Sequence, residues 1–398
     1  MYKPVNSRSN LPLKNASPVL QLLDYKEVFS SALDFCQACA ASPDFDVSDV
    51  HACIKRMQIQ NFYGCVRRLA GGTTHHSLQR MFEPNSFHFD EFGKLNHSKK
   101  WRGYARGLHM PRQSTIAKVE AICGVKLRHE VNQMLWFSLD VTVPLKGEKT
   151  MAMLKSLSVE TRKKAFKIFT KIQRRPVPND SEIYTWCQDC LRNEPGLTTL
   201  AVFTLLLREA KKFDCVDAMS TISHSIFQLL LLLGEELQQR GIGYLLYPFF
   251  VEHILPIYWG EMLDETAVSM ARMSMLVNLF AFVDPNGMRS GSMYLEDRAE
   301  NMCRWLNFYG HYVPCGLFEP MVRSCPNGYS EDFVTAMKRG TNVYWSMLVP
   351  ILKSRRPPMI YNPIYLDWNF DLDFSVLTGH RCETLLAVVD QMLVRLND

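Results

Sequence analysis

Apolar residues recur at helical spacing along most of this chain, and prolines and glycines interrupt the pattern at short intervals. This combination predicts a mostly α protein. The most apolar stretch, Ile226–Gly234, is followed at once by Glu235 and Glu236, so it predicts a buried core helix and not a membrane span. The helices predicted in the C-terminal half are Ser181–Arg192, Leu197–Phe213, Val216–Arg240, Gly243–Tyr258, Asp264–Phe282, Tyr294–Tyr309, Ser330–Lys353 and Cys382–Leu396.

The N-terminal part shows the same periodicity with recognisable start and stop signals. A helix over Val47–Ala70 would begin at a Ser48 or Asp49 cap and end at the Gly71-Gly72 pair. Thr73 or Thr74 would cap a shorter helix that ends at Phe82. Further helices are predicted over Val19–Ala40, over Asn85–Gly93 with Phe87, Phe89 and Phe92 inward, and over Val125–Leu139, before a strand-like connector at Val141–Leu145.

Positive charge is concentrated in two segments. Residues 92–130 hold nine lysines and arginines against Glu120 and Glu130, whereas the whole chain carries a net charge of only +5. Residues 155–175 hold eight cationic residues against Glu160. The rest of the chain is therefore net negative, and localised positive charge is what a binding face for a polyanion requires.

The second basic segment predicts an amphipathic helix over Ser158–Arg175. Phe166, Phe169 and Ile172 share one face, and the opposite face carries Lys163, Lys167, Lys171 and Arg174. Such a stripe can follow a phosphate backbone by neutralising it and releasing counterions. An exposed helix that carries solvated cations explains the same pattern, so both interpretations stay open.

The first basic segment contains residues that mark the end of one helix and the start of the next. Tyr104 ends one predicted helix, Gly107 can take the left-handed conformation that terminates it, and Pro111 can open the next turn. Ile116 and Val119 would then pack back on the preceding helix, before Gly124.

This spacing resembles the second half of the lambda-repressor/Cro-like (XRE) helix-turn-helix family over Trp101–Val125. The resemblance implies a recognition helix over Asn96–Tyr104, capped by Asn96 and buried through Trp101 and Tyr104. Asp90, Gly93 and Lys94 stand where that family has a small buried residue and a Leu-Gly pair. The implied groove and phosphate contacts are His97, Ser98, Lys99, Lys100, Arg102, Arg106, Arg112 and Lys118. A helix–turn–helix corner inside an all-helical domain, with its basic residues solvated, explains the same spacing and stays an alternative.

At 398 residues the chain can hold two or three domains. We predict a flexible polar tail (1–17), a helical domain with the helix-turn-helix-like unit (18–145), a basic helix and linker (146–180) and a larger all-helical domain for oligomerisation or partner binding (181–398). The predicted partner is double-stranded DNA, with a homo-oligomer by analogy to such units. A helical adaptor that binds acidic protein surfaces, and a nucleic-acid enzyme without a recognisable motif, stay as alternatives.

Other chemistry has weaker signals. Two C-x-x-C pairs, Cys36/Cys39 and Cys187/Cys190, could bind zinc, but helical contexts favour buried thiols. His75-His76 reads as a packing or surface pair, and Asp367, Asp371 and Asp373 as solvated acids more than a cation site. No nucleotide-binding or nucleophile motif occurs, so we expect no cofactor and assign no catalytic residue. Twelve cysteines without an export signal favour a cytoplasmic protein.

Overall fold

The computed structural model describes residues 47–262, except 73, 90, 93, 94, 146, 156 and 175–179, together with residues 22–24, 267, 270, 271, 274 and 292–294. This part of the chain is mostly α, as the sequence predicts. The helices are α1 Val50–Leu69, α2 His75–Phe82, α3 Lys100–Ala105, α4 Gln113–Cys123, α5 Arg128–Val131, α6 Met134–Leu139, α7 Gly147–Leu154, α8 Val159–Arg174, α9 Asp180–Asn193, α10 Leu197–Lys212, α11 Val216–Leu232, α12 Gly234–Gln239, α13 Gly243–Phe249 and α14 Pro256–Trp259.

Helices α1 and α2 begin and end where the local signals predict. The Asp49 carboxylate accepts the backbone N–H of Ala52 at 2.9 Å, and Gly71 and Gly72 follow the helix with φ of 75° and 76°. The Thr74 hydroxyl accepts the N–H of Ser77 at the start of α2. These ends need only short-range hydrogen bonds, which explains why the sequence reveals them.

Two short antiparallel pairs replace predicted helix. Strand β1 (Leu22–Asp24) pairs with β4 (Ser292–Tyr294), so the helices predicted over Val19–Ala40 and from Tyr294 are wrong at these residues. Strand β2 (Phe87–Phe89) pairs with β3 (Leu95–His97) in a hairpin. The helix predicted over Asn85–Gly93 is therefore wrong, and Phe92 is 87% exposed.

Three other boundaries differ from the prediction. Val125–Leu139 contains two short helices, α5 and α6, and Gly234 opens α12 as a helix separate from α11. Val141–Leu145 forms no strand because its backbone is used in a turn. The Asp140 carboxylate accepts the N–H of Thr142 at 3.2 Å, and the Arg208 guanidinium donates to the carbonyl of Val143 at 2.6 Å.

Helix α1 contributes to both apolar clusters of the described chain. Its N-terminal half, including Ile54 and Met57, packs in the larger cluster with side chains of α6–α14. Its C-terminal half, including Phe62 and Val66, packs in a smaller cluster with side chains from residues 78–131. Buried contacts thus cross position 145, and the division into domains stays a prediction.

The remaining predicted helices fall as follows. Helices α9 and α10 match Ser181–Arg192 and Leu197–Phe213 to within a residue at each end. Gly243–Tyr258 is helical through α13, a π-helical segment at Phe250–Ile254 and α14. The other helices predicted beyond Asp264 lie almost wholly outside the described residues. Within the described ranges, none of the helices is long and apolar enough to cross a bilayer.

Candidate nucleic-acid interface

The predicted helix-turn-helix-like unit, which corresponds to α3 and α4, has an aromatic core within the smaller cluster. The Trp101 ring stacks on Phe82 at 5.3 Å between centroids, and Phe62 and Tyr104 contact it as well. Trp101 and Tyr104 are 0% and 1% exposed, and Ile116 and Val119 of α4 complete the packing at 1% and 0%. The predicted buried faces of both helices are confirmed.

The turn between α3 and α4 lies where the sequence predicts one helix to end and the next to begin. Gly107 has a φ of 70° and donates its N–H to Tyr104, while Leu108 donates to the carbonyl of Gly103 at 2.9 Å. A Cβ on Gly107 would lie 2.4 Å from Cγ of Arg56. Gly124 ends α4 in the left-handed conformation, with φ 69°.

The predicted recognition helix is much shorter than Asn96–Tyr104. Asn96 and His97 belong to β3, where their backbones pair with His88 and Phe87, so Asn96 caps no helix. Ser98 and Lys99 precede α3, and the Ser98 hydroxyl accepts a hydrogen bond from Gln79. Helix α3 has six residues, of which Trp101, Gly103 and Tyr104 are buried. It therefore exposes little more than Arg102 for contact with a groove.

The ammonium group of Lys100 is bound by side chains within the fold. Its Nζ lies 2.5 Å from Oε1 of Glu83 and 2.8 Å from the hydroxyl of Thr115, so it connects α3 to the residue after α2 and to α4. Its expected role as a groove or phosphate contact would require breaking both interactions. We therefore assign Lys100 to the fold.

Seven other cations on and around α3–α5 differ from Lys100, because they have no acidic ion-pair partner among the described residues. Each side chain is exposed, and none forms an ion pair with another described residue. We call this set the basic surface, and its members are Lys99, Arg102, Arg106, Arg112, Lys118, Lys126 and Arg128.

The two acids of this segment are held in place by other groups. The carboxylate of Glu120 accepts the backbone N–H groups of Arg128 and Leu127, which lower its pKa. Glu130 accepts a hydrogen bond at 2.7 Å from the guanidinium of Arg240, the residue after α12. Burial alone would raise the pKa of Glu130, but the charge and hydrogen bond of Arg240, together with His129 and Asn61, lower the pKa below its usual value. The lowered pKa values keep both acids ionised, and neither carboxylate forms an ion pair with a side chain of the basic surface.

Three lysines of the second basic segment, Lys164, Lys167 and Lys171, are paired with acids of α9. Helix α8 lies within the predicted bounds, the Ser158 hydroxyl accepts the N–H of Thr161 at its start, and Phe169 and Ile172 are buried at 4% and 0% exposure. Glu182 of α9 lies against both Lys167 and Lys171, whose hydrogen bonds lower its pKa, and Asp189 pairs with Lys164 at 2.7 Å. Lys163 is exposed, and the side chain of Arg174 lies outside what the structure describes.

Sequence reasoning missed the two acids of α9, Glu182 and Asp189, that pair with lysines of α8. Glu182 follows Lys171 by 11 residues along the chain, in a separate helix. Only the antiparallel return of α9 onto α8 brings them together, and residue spacing gives no local signal for it.

The cysteine and histidine patterns do not assemble a metal site in the described chain. Cys187 and Cys190 are 0% and 1% exposed in α9, and burial raises the pKa of Cys187 to about 12. No group of three potential ligands comes together among the residues that the structure describes. The ring of His76 packs against Phe87. Cys36, Cys39 and the three aspartates at 367–373 lie outside the described residues.

Comparisons with known proteins identify no relative: no family model, curated protein or solved structure matches this chain. The resemblance to the lambda-repressor/Cro-like family accordingly stays a prediction, carried by the Tyr104–Gly124 spacing and weakened by the hairpin at 87–97.

Proposed function

We propose that this protein binds double-stranded DNA through its basic surface, chiefly by contacts to phosphates. The observation that supports this proposal is the contrast between the two basic segments. All seven cations of the basic surface are exposed without an ion pair among the described residues, whereas Lys164, Lys167 and Lys171 of α8 are paired with acids of α9.

The contacts would divide by position. Arg106 and Arg112 flank the turn, and Lys118 stands on the outer face of α4, where they can neutralise phosphates and release counterions. Helix α4 has no side-chain cap, so its first N–H groups add positive potential beside Arg112. Lys99 and Arg102 are the remaining candidates for base contacts at the short α3.

This arrangement favours phosphate contacts, which position a protein on DNA, over base contacts, which recognise a sequence. A helix that reads a major groove presents several side chains to base edges, and α3 offers one exposed arginine in six residues. We therefore expect weak sequence preference, in place of the strong preference that a full recognition helix would give. Oligomerisation through residues 181–398 stays a prediction from analogy.

The test is a binding titration of a fluorescent duplex at several salt concentrations, together with selection from a random duplex pool at about 150 mM salt. Four to seven phosphate contacts predict that log affinity falls with log salt at a slope of about −4 to −6. Absence of duplex binding near physiological salt would contradict the proposal. It would favour the alternative in which the basic surface binds an acidic protein.

A further inference from the structure

The loop between α3 and α4, residues 106–112, is held in one conformation at both ends. Gly107 and Leu108 donate to the carbonyls of Tyr104 and Gly103, and Pro111 is buried. The ring of His109 lies over Gly103, with Cδ2 at 2.9 Å from the position of a Cβ there. The loop therefore has little freedom to turn its other side chains inward.

Two apolar side chains project from this loop into solvent. Leu108 is 58% exposed and Met110 is 38% exposed, and the exposed Arg106 and Arg112 stand on either side of them. The loop therefore presents two apolar groups on a fixed backbone, next to cations that form no ion pair in the described chain.

We propose that the loop is a wedge: Leu108 and Met110 enter the minor groove of duplex DNA and partly unstack a base step. Arg106 and Arg112 then contact the phosphates that flank the step. This inference rests on the proposed function and adds a DNA geometry to it. Proteins that bend DNA combine apolar wedges with cationic contacts in this way, because the bend brings more phosphates to the protein.

Charge favours DNA over a membrane as the occupant. The cations extend beyond the loop to α4 and to Lys126 and Arg128, over a surface that a phosphate backbone can follow. Among residues 106–112, only Leu108 and Met110 are exposed large apolar groups, and the loop has no Phe, Tyr or Trp. Stable membrane anchoring takes more buried apolar surface than this pair supplies.

The wedge predicts a preference for deformable DNA. Pyrimidine–purine steps such as TA unstack at low cost, and A-tracts resist bending. A duplex with a central TA step should therefore bind more tightly than an A-tract duplex of equal length, even though no base contact distinguishes them.

The experiment measures affinity and bending together on the full chain. A duplex of about 30 bp carries a donor and an acceptor dye at its ends, so bending raises energy transfer. The loop variant is Leu108→Ser with Met110→Ser. Its matched control, Val143→Ser with Val216→Ser, makes similar changes in polarity at side chains that are 39% and 56% exposed on parts of the chain outside the basic surface.

The wild type and the control variant should bind the TA duplex and raise energy transfer. The loop variant should bind about tenfold more weakly, a difference of about 1.4 kcal/mol, and without the rise. Equal affinity and equal energy transfer for the loop variant would overturn the wedge while leaving DNA binding intact. Absence of wild-type binding to any duplex would instead overturn the proposed function. Loop-dependent binding to vesicles that contain phosphatidylserine, without binding to DNA, would assign the loop to a membrane and overturn the wedge.

Discussion

The guanidinium of Arg240 donates to Oε2 of Glu130 at 2.7 Å, and this buried ion pair ties the residue after α12 to α5. The same guanidinium reaches Oδ1 of Asn61 on α1 at 3.1 Å and Oε1 of Glu236 at 2.7 Å. Three parts of the chain thus meet at one cation. The contact joins α5, whose Val131 packs in the smaller cluster, to α12, whose Leu237 packs in the larger one. Glu130 forms no ion pair with the basic surface among the described residues.

Replacement of Arg240 by alanine should destabilise the protein strongly. Its side chain is 9% exposed and that of Glu130 is 14% exposed, so the variant leaves a carboxylate buried without its partner. We expect a loss of about 3 kcal/mol or more in the free energy of unfolding, measured by urea titration. Lys164→Ala is the control, because its pair with Asp189 is exposed and should contribute less than about 1 kcal/mol. Similar losses for both variants would show that the Arg240 pair is not a buried one.

The ion pair also predicts how stability depends on pH. The pKa of Glu130 is lowered in the folded protein, so its contribution is fully present above the unfolded pKa of about 4.3 and is lost as the pH falls through the folded pKa. The free energy of unfolding should therefore differ between the wild type and Glu130→Gln at pH 7, and the difference should shrink below about pH 4.3. A difference that is constant from neutral to acidic pH would contradict this assignment.

Close packing at Gly64 gives a third prediction. A Cβ on Gly64 would lie 2.2 Å from the carbonyl oxygen of Arg240, whereas a Cβ on Gly147 would have no neighbour within 4 Å. Gly64→Ala should lower the free energy of unfolding by about 1–3 kcal/mol, because α1 and the Arg240 backbone must separate. Gly147→Ala should be neutral or slightly stabilising. Equal stabilities in thermal or urea unfolding would show that the two segments are further apart.

The buried thiols of α9 should be unreactive in the native protein. Burial raises the pKa of Cys187 to about 12, and it also raises the pKa of Cys190. At about pH 8, iodoacetamide should label neither residue until urea unfolds the chain, because the thiolate is the reactive form. Peptide mass spectrometry can follow each site separately. Rapid native labelling of Cys187 would contradict its burial.

The sequence predicted those elements whose ends depend on neighbouring residues. Asp49, Gly107 and Gly124 act through bonds within a few residues, and the structure has them as expected. The hairpin was missed although the alternation at Phe87 and Phe89 is typical of a strand. The acidic partners of α8 and the ion pair between Arg240 and Glu130 could not be predicted, because only folding brings these groups together. Arg240 and Glu130 are 110 residues apart in the sequence.

The measurement that tests the central claim most directly compares two charge-matched double variants in duplex binding over a range of salt. Arg106→Ala with Arg112→Ala removes two cations of the basic surface, and Lys167→Ala with Lys171→Ala removes two cations that Glu182 pairs. The first variant should weaken binding about tenfold or more and reduce the magnitude of the salt slope by about 2, while the second stays close to the wild type. Equal losses in the two variants, or a larger loss in the second, would contradict the assignment of DNA binding to the basic surface.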